Sequence, residues 1–335
     1  MTGSANPSSP APRRVAITGG AGFIGLAAAE ALLAGGHAVR ALDLAAPPAA
    51  FLAHPALAGL DVQPCDTTDG EALCAALRAF GADALIHLAA MTPDAETARS
   101  RAGQVVAVNV GGTVAAVEAA ARAGVSRVLM LSSVAVYGGS GPWSGATLTE
   151  DTALRPDSLY GVTKQAAEGL ALHLGAARGL TLTVLRLGPV FGPWERPGAL
   201  RPDLSPHGRL LELLAEGAPA VLPHEMRGDW LYSRDAGRGI ALALGAPGGG
   251  SRVFNLGAGR LSTPSDWAGA AGLPRPDIDP ARATVAARVR PGRPMLDISA
   301  LRAFCGHAGG RPLADAAADH MAWRADILPA ARTHP

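Results

Sequence analysis

The sequence predicts an α/β protein, a doubly wound parallel sheet followed by a smaller C-terminal lobe. Three observations carry this. From residue 14 to 124, short β-branched runs alternate with long Ala/Leu-rich stretches, the pattern of successive βαβ units. A glycine-rich turn separates the first strand from the first helix. Beyond residue 187 that regularity gives way to recurrent Pro and Gly, which mark shorter elements and loops.

Taken in order, residues 1–12 are Pro/Ser-rich without an apolar h-region and read as a disordered tail, not a signal peptide. Arg14–Thr18 (RVAIT) has a buried-strand pattern, and Gly22–Ala34 follows as a helix. Ala38–Leu42 is the second strand, Gly70–Phe80 a helix, and Ala84–His87 the third strand. A long helix over Val105–Ala123 leads to a fourth strand at Arg127–Ser132, then a helix over Leu159–Arg178 and a strand at Thr181–Leu187. Residues 13–187 are expected to form the sheet domain, joined later by a strand and helix from about 233–257. Residues 188–335 are expected to form mainly the lobe. No internal repeat is evident.

At 335 residues, one large α/β domain carrying a lobe is a natural size. The 29 Lys+Arg and 28 Asp+Glu leave a formal charge of +1. That argues against nucleic acid or an anionic membrane as partner, because both reward a basic face. No window offers eighteen strongly apolar residues, so no membrane partner is expected. Cys65, Cys74 and Cys305 lack metal-ligand spacing and cannot build a disulfide framework. No metal is expected, and a cytoplasmic location is. Of the 29 basic residues, 28 are Arg and one, Lys164, is Lys. A lysine that survives such a bias points to a site needing a compact ammonium that a planar guanidinium cannot imitate.

The turn TGGAGFIG spans residues 18–25. Gly19 permits the tight turn, Gly22 lets a pyrophosphate approach the backbone, and Gly25 allows close helix–strand packing. The free N–H groups of the helix N-terminus then favour the anion. Asp43 stands at the end of the second strand, where a carboxylate accepts from adenosine ribose hydroxyls and repels a 2′-phosphate. Together these features predict a Rossmann-type site for NAD in preference to NADP. Asp66, in the next strand–helix loop, is placed to reach the adenine amino group or to cap a helix, a role Asp69 can also fill.

Tyr160 and Lys164 are spaced i, i+4 and share one helical face. A phenol titrates near 10 and is a poor base at neutral pH. A neighbouring ammonium lowers that value, so Tyr160 can exchange a proton with an alcohol. Ser132 and Ser133 end the fourth strand, at the carboxyl edge where open α/β sheets bind ligands. Ser133 is placed to hold the substrate oxygen. His87 lies in a core strand and reads as a packed histidine. Trp143, Trp194 and Trp230 fall in irregular stretches suited equally to substrate stacking and to packing.

With these residues the chain resembles the extended short-chain dehydrogenase/reductase family, the NAD-dependent epimerase/dehydratase group that includes UDP-galactose 4-epimerase. The resemblance covers roughly residues 14–300 and rests on TGGAGFIG (18–25), CDTTD (65–69), HLAA (87–90), NVGGT (109–113), SSVAVYG (132–138), YGVTK (160–164), LRLGPVFGP (185–193) and RPG (290–292). It implies Ser133, Tyr160 and Lys164 as the catalytic residues. Phe23, Ile24, Asp43, Asp66, Thr67 and the stretch Leu88, Ala89 and Ala90 match contacts to NAD, and Asn109 matches an Asn beside the cofactor. Met91 and Thr92 should line the pocket near the nicotinamide, and Arg290 matches a phosphate-contacting Arg. Homodimers and reversible oxidation of a sugar alcohol are what the family implies.

Two departures narrow the reading. Dehydratases of the family carry acidic residues just after the catalytic Ser or Thr, where this chain has Val134 and Ala135. Nucleotide-sugar members usually have Asn where this chain has Pro189, which offers no polar side chain and no N–H, and Arg227 is displaced by one residue from the family's nucleotide contact. A nucleotide-sugar epimerase is therefore expected, with a net dehydrogenase of a free sugar, sugar acid or other small alcohol as the alternative. A redox sensor that binds NAD without turnover is the reading of another class.

Overall fold

The computed structural model describes residues 13–331 except 140, 142, 144, 199, 200, 202, 249 and 288. The tail expected over residues 1–12 lies outside the described residues. Seven strands form one parallel sheet: β1 (Arg14–Thr18), β2 (Ala38–Asp43), β3 (Asp61–Pro64), β4 (Ala84–His87), β5 (Arg127–Ser133), β6 (Thr181–Leu187) and β7 (Arg252–Leu256). Their order across the sheet is β7-β6-β5-β4-β1-β2-β3. The chain thus starts in the middle, winds outward to one edge, then crosses β1 and winds to the other. The crevice lies where β1 and β4 diverge.

The register puts Ile17 beside Ile86 and Ile86 beside Leu129. These side chains enter one apolar layer, while their neighbours Ala16, Leu85 and Val128 enter the other. Both faces of the sheet are therefore buried, which explains why the strands read as continuous apolar runs. Helix α1 (Phe23–Ala34) and helix α2 (Ser233–Gly245) cover one face. A Cβ on Gly237 of α2 would collide with the carbonyl of Ala27, so this glycine permits the two helices to touch. Leu26 and Leu32 are buried beneath that contact, each contributing about 1.5–3 kcal/mol of apolar transfer.

The other face is covered by three helices. α3 (Gly70–Phe80) is capped by Asp69, whose carboxylate accepts from the backbone N–H of Glu71 and Ala72. It stops at Gly81, in the left-handed region with φ +65°. α4 (Gly112–Ala123) continues a helical run that starts at Ala102 and passes through a π-helical stretch at Ala107–Gly111. α5 (Leu159–Ala177) is capped by Ser158, whose hydroxyl accepts from Gly161 N–H at 3.1 Å.

Two expectations need correction. The edge strand β3 went unread because it is four residues long, ends in Pro64 and is only partly covered, so it lacks the buried apolar signature. The run Ala102–Ala123 is long and apolar enough to cross a membrane, with a mean hydropathy of 1.3 over its best window. Small Ala, Gly and Val residues concealed this. Here 44% of that window is buried inside the protein, in part by packing against α3 and α5.

Outside this sheet the chain forms short parallel pairs. Val190–Phe191 pairs with Leu231–Tyr232, Val221–Leu222 with Asp277–Ile278, and Thr147–Leu148 with Met295–Leu296. Phe191, Trp230, Tyr232 and Trp267 form the aromatic core of the lobe, with His207 stacked on Phe191 at 4.0 Å between ring centres.

Candidate active site

The glycine turn is a cradle without Cβ atoms. Gly19 adopts φ +68°, and a Cβ there would lie 2.7 Å from the Ala89 nitrogen. A Cβ on Gly22 would stand 3.1 Å from the Gly19 carbonyl oxygen, and one on Gly25 would overlap it. Gly20, which the spacing reading passed over, is equally constrained: its Cβ would meet that of Ala41 at 2.6 Å. The doubled glycine in TGG was the available signal. The turn thus presents backbone unscreened by side chains at the N-terminus of the twelve-residue α1, a surface on which a diphosphate can lie.

Asp43 closes this cradle. Its carboxylate accepts from Ala21 N–H at 3.0 Å and from Leu44 N–H at 2.8 Å. Burial pushes its pKa up, against these bonds and the nearby Arg196. Asp66 is exposed and turned onto its own loop, accepting from the N–H and hydroxyl of Thr68 at 2.9 and 2.8 Å. Helix capping falls to Asp69. Thr67 is buried against Gly112. Leu88 N–H donates to the Thr18 carbonyl at 3.0 Å, extending β4 alongside the cradle, and Ala89 packs on Gly19; Ala90 follows, half-buried. Phe23 is buried with the Arg201 guanidinium 4.8 Å above its ring, and Ile24 is half-buried beside it.

At the other end of the crevice, β5 delivers Ser133 and α5 delivers Tyr160 and Lys164. The Ser133 hydroxyl accepts from Ala135 N–H at 3.2 Å and caps the short turn Val134–Tyr137. Burial raises the Tyr160 pKa, opposed by hydrogen bonding from Thr92 and Ser133 and by the charge of Arg201. The helical spacing had assigned the downward pull to Lys164; the groups that act on the phenol are these three, and desolvation outweighs them. Lys164 is buried, which lowers its pKa to about 8 against the pull of Glu168. The Ser132 hydroxyl is buried with no hydrogen-bond partner among the described residues.

Asn109 sits in the π-helical stretch, where the local widening of the helix suits a functional side chain. It accepts from Met91 N–H at 2.7 Å and donates to the Met91 carbonyl and the Thr163 hydroxyl, both at 3.0 Å. It therefore ties the strand-end loop to α5 one residue before Lys164. Met91 is fully buried by this arrangement, while Thr92 reaches Tyr160.

Pro189 follows β6 at this same sheet edge, two residues beyond Leu187, the register partner of Ser133. The Pro189 carbonyl accepts from Leu231 N–H at 2.9 Å and is used in lobe pairing. Arg290 pairs with Asp157 at 3.2 Å and lies against Gly139. Arg227 lines a separate cavity of about 480 Å³ with Glu225, Ser262 and Arg275. Trp194 and Trp230 are buried in packing; Trp143 edges a second cavity with Tyr137 and Arg155. His87 is buried and neutral, its ring nitrogens at 2.7 and 3.1 Å from the hydroxyls of Thr18 and Thr113. Sequence reasoning missed Arg196 and Arg201, which lie in an irregular stretch without periodicity. It also missed Glu168, which the i, i+4 step from Lys164 marked.

Residues 15–257 match the NAD dependent epimerase/dehydratase family. The chain is 32% identical over 257 residues to a dTDP-glucose 4,6-dehydratase of Streptomyces griseus, covering 72% of this chain and 73% of that one. It is 30% identical over 285 residues to a UDP-glucose 4-epimerase of Mycolicibacterium smegmatis, covering 80% and 86%. Among solved structures, MoeE5 in complex with UDP-glucuronic acid and NAD superposes with a TM-score of 0.76 at 28% identity, covering 93% of this chain and 99% of MoeE5. The UDP-glucose 4-epimerase of Thermotoga maritima shares the fold with a TM-score of 0.79 at 23% identity, over 94% and 99%. With the glycine cradle and the Ser133–Tyr160–Lys164 group on one sheet edge, the chain belongs to the NAD-dependent epimerase/dehydratase family of enzymes.

Proposed function

We propose that this enzyme is an NAD-dependent epimerase acting on a secondary alcohol of a nucleotide sugar. One observation carries the reading: the hydroxyls of Tyr160, Ser133 and Thr92 converge at the carboxyl edge of the sheet, with Lys164 one turn away. Tyr160 takes the proton of the substrate hydroxyl, and Ser133 holds that oxygen as it passes between alcohol and carbonyl. Lys164 holds the nicotinamide ribose with its compact ammonium, while Arg201 supplies the positive charge that acts on the phenol. The glycine cradle fits a dinucleotide diphosphate, and Asp43 suits an unphosphorylated ribose. NAD, when bound, supplies the hydride acceptor.

The relatives named for UDP-glucose epimerisation and the UDP-sugar in MoeE5 support a nucleotide-sugar substrate. Val134 and Ala135 offer no carboxylate after Ser133, which favours epimerisation over the elimination named for the Streptomyces relative. A net dehydrogenase of a free sugar or sugar acid is the second reading, favoured by Pro189. Enzyme and NAD are incubated with UDP-sugars, dTDP-sugars, free sugars and uronates, following NADH absorbance and product stereochemistry. An inverted sugar without net NADH is expected; stoichiometric NADH would reject epimerisation in favour of the second reading. We further propose a cytoplasmic homodimer, in which a second copy covers the exposed apolar side chains Val106, Val162 and Leu170. Light scattering of a monodisperse solution tests it, and a monomer mass rejects the dimer.

A further inference from the structure

One turn beyond Lys164 on α5, Glu168 lies on the same helical face, and both residues are 4% exposed. Arg186 on β6 grips the Glu168 carboxylate with two nitrogens, at 2.5 and 3.2 Å. Its third nitrogen donates to the Tyr137 hydroxyl at 2.9 Å and to the Glu150 carbonyl at 2.8 Å. Tyr137 ends the short turn that starts at Ser133, and its hydroxyl donates to Asn255 on β7 at 2.7 Å. Asn255 is pinned in turn by the Glu150 carboxylate and the Leu148 carbonyl. A single guanidinium therefore touches both arms of the catalytic group: the helix that carries Tyr160 and Lys164, and the turn that follows Ser133.

Burying an ammonium disfavours its charged form unless a carboxylate stands nearby. Among the described residues, the ionisable groups that act on Lys164 are Glu168 on its own helix and His87 on β4; Tyr160 lies one turn back on the same face with Arg201 beyond it, and Arg186 on β6 reaches Lys164 through Glu168. Glu168 is the carboxylate among them, and its far side is occupied by Arg186, which fixes its position and offsets part of its charge.

We propose that Glu168 is a positioning residue for Lys164, keeping its ammonium charged at neutral pH, and that Arg186 sets how much of that carboxylate charge Lys164 feels. This rests on Lys164 being the working ammonium of the proposed reaction, yet its test needs neither NAD nor substrate. The chain contains one lysine, so labelling with lysine carrying carbon-13 at Cε gives a single side-chain resonance that reports the ionisation of Lys164. In Glu168→Gln the titration midpoint should fall by about one pH unit or more. In Arg186→Gln, which leaves the carboxylate charge unopposed, it should rise. The double variant removes both members of the Glu168–Arg186 ion pair, so neither is left buried without the other, and should fall less than Glu168→Gln; it carries the measurement if a single variant fails to fold. A midpoint that stays within about 0.3 pH unit of the native value in Glu168→Gln, or in the double variant where that one does not fold, overturns the proposal. A shift in resonance with no sugar ever turned over would leave it standing and reject the proposed function.

Discussion

The sheet and the lobe each bury a histidine completely and treat it in opposite ways. His87, on β4, has a threonine hydroxyl at each ring nitrogen. His207, in the lobe, lies between Phe191, Trp230 and Trp267, and neither ring nitrogen has a hydrogen-bond partner among the described residues. At the first site the imidazole is a polar joint between β1, β4 and α4. At the second it serves as a flat ring in an aromatic stack. At the first site the ring is held by directional bonds, and at the second by shape. A substitution that keeps size and loses polarity should be costly at His87 and cheap at His207.

The largest effect expected from this contrast is at Lys164. Lys164→Arg keeps the charge but not the compact ammonium, and turnover should fall about a hundredfold or more with the fold intact. Near-native turnover would break the claim that the sheet edge is sensitive to geometry. Next is His87→Leu, which strands the Thr18 hydroxyl and one bond of Thr113. Urea unfolding at pH 8 should show a loss of about 2 kcal/mol; a loss under about 0.5 kcal/mol would put His87 in the same class as His207. Asp43→Asn keeps an oxygen to accept from Ala21 but removes the charge. The preference for NAD over NADP, read by calorimetric titration with both, should drop about tenfold, and an unchanged ratio would remove Asp43 from the ribose site.

The smallest effect is expected at His207→Phe, within about 1 kcal/mol of native stability at pH 8. Its acid behaviour sharpens the comparison. Burial holds His207 well below the ordinary imidazole range, and His320 at about 4. Both are neutral in the folded lobe, whereas the unfolded chain protonates near 6.5. Their stabilising contribution is complete above that value and is lost as pH falls through the window toward the folded values. Asp229, raised to about 6 by burial, acts oppositely, gaining stability as pH falls below 6. His207→Phe should therefore show a shallower loss of stability between pH 7 and 5 than the native chain. An unchanged slope would mean that His207 is already protonated or solvated in the fold.

Legibility in the sequence followed the same division. β1, β4, β6 and α3 were readable to the residue, because strands buried on both faces and a helix flanked by Asp69 and Gly81 leave unmistakable patterns. The placement of Ser133 at the end of β5 and of Tyr160 and Lys164 on one helical face was readable because spacing and strand-end position are local facts. Arg201 was not, since its relation to Phe23 and Tyr160 depends on how an irregular segment crosses the crevice. Nor was the use of the Pro189 carbonyl by Leu231, a contact between segments that no periodicity links. The short lobe strands of two residues carry too little sequence to announce themselves.

The contact between Gly237 and the Ala27 carbonyl also bears on how the molecule is made. α1 precedes α2 by a long stretch of chain, and apart from Glu30 its residues are apolar. Much of one side is covered by α2, which cannot dock until residues 233–245 have been synthesised. Until then, the βαβ unit that contains α1 leaves the apolar surface under α2 uncovered. Pairing so distant in sequence closes late and slowly, and until it does that surface is the one a chaperone would hold.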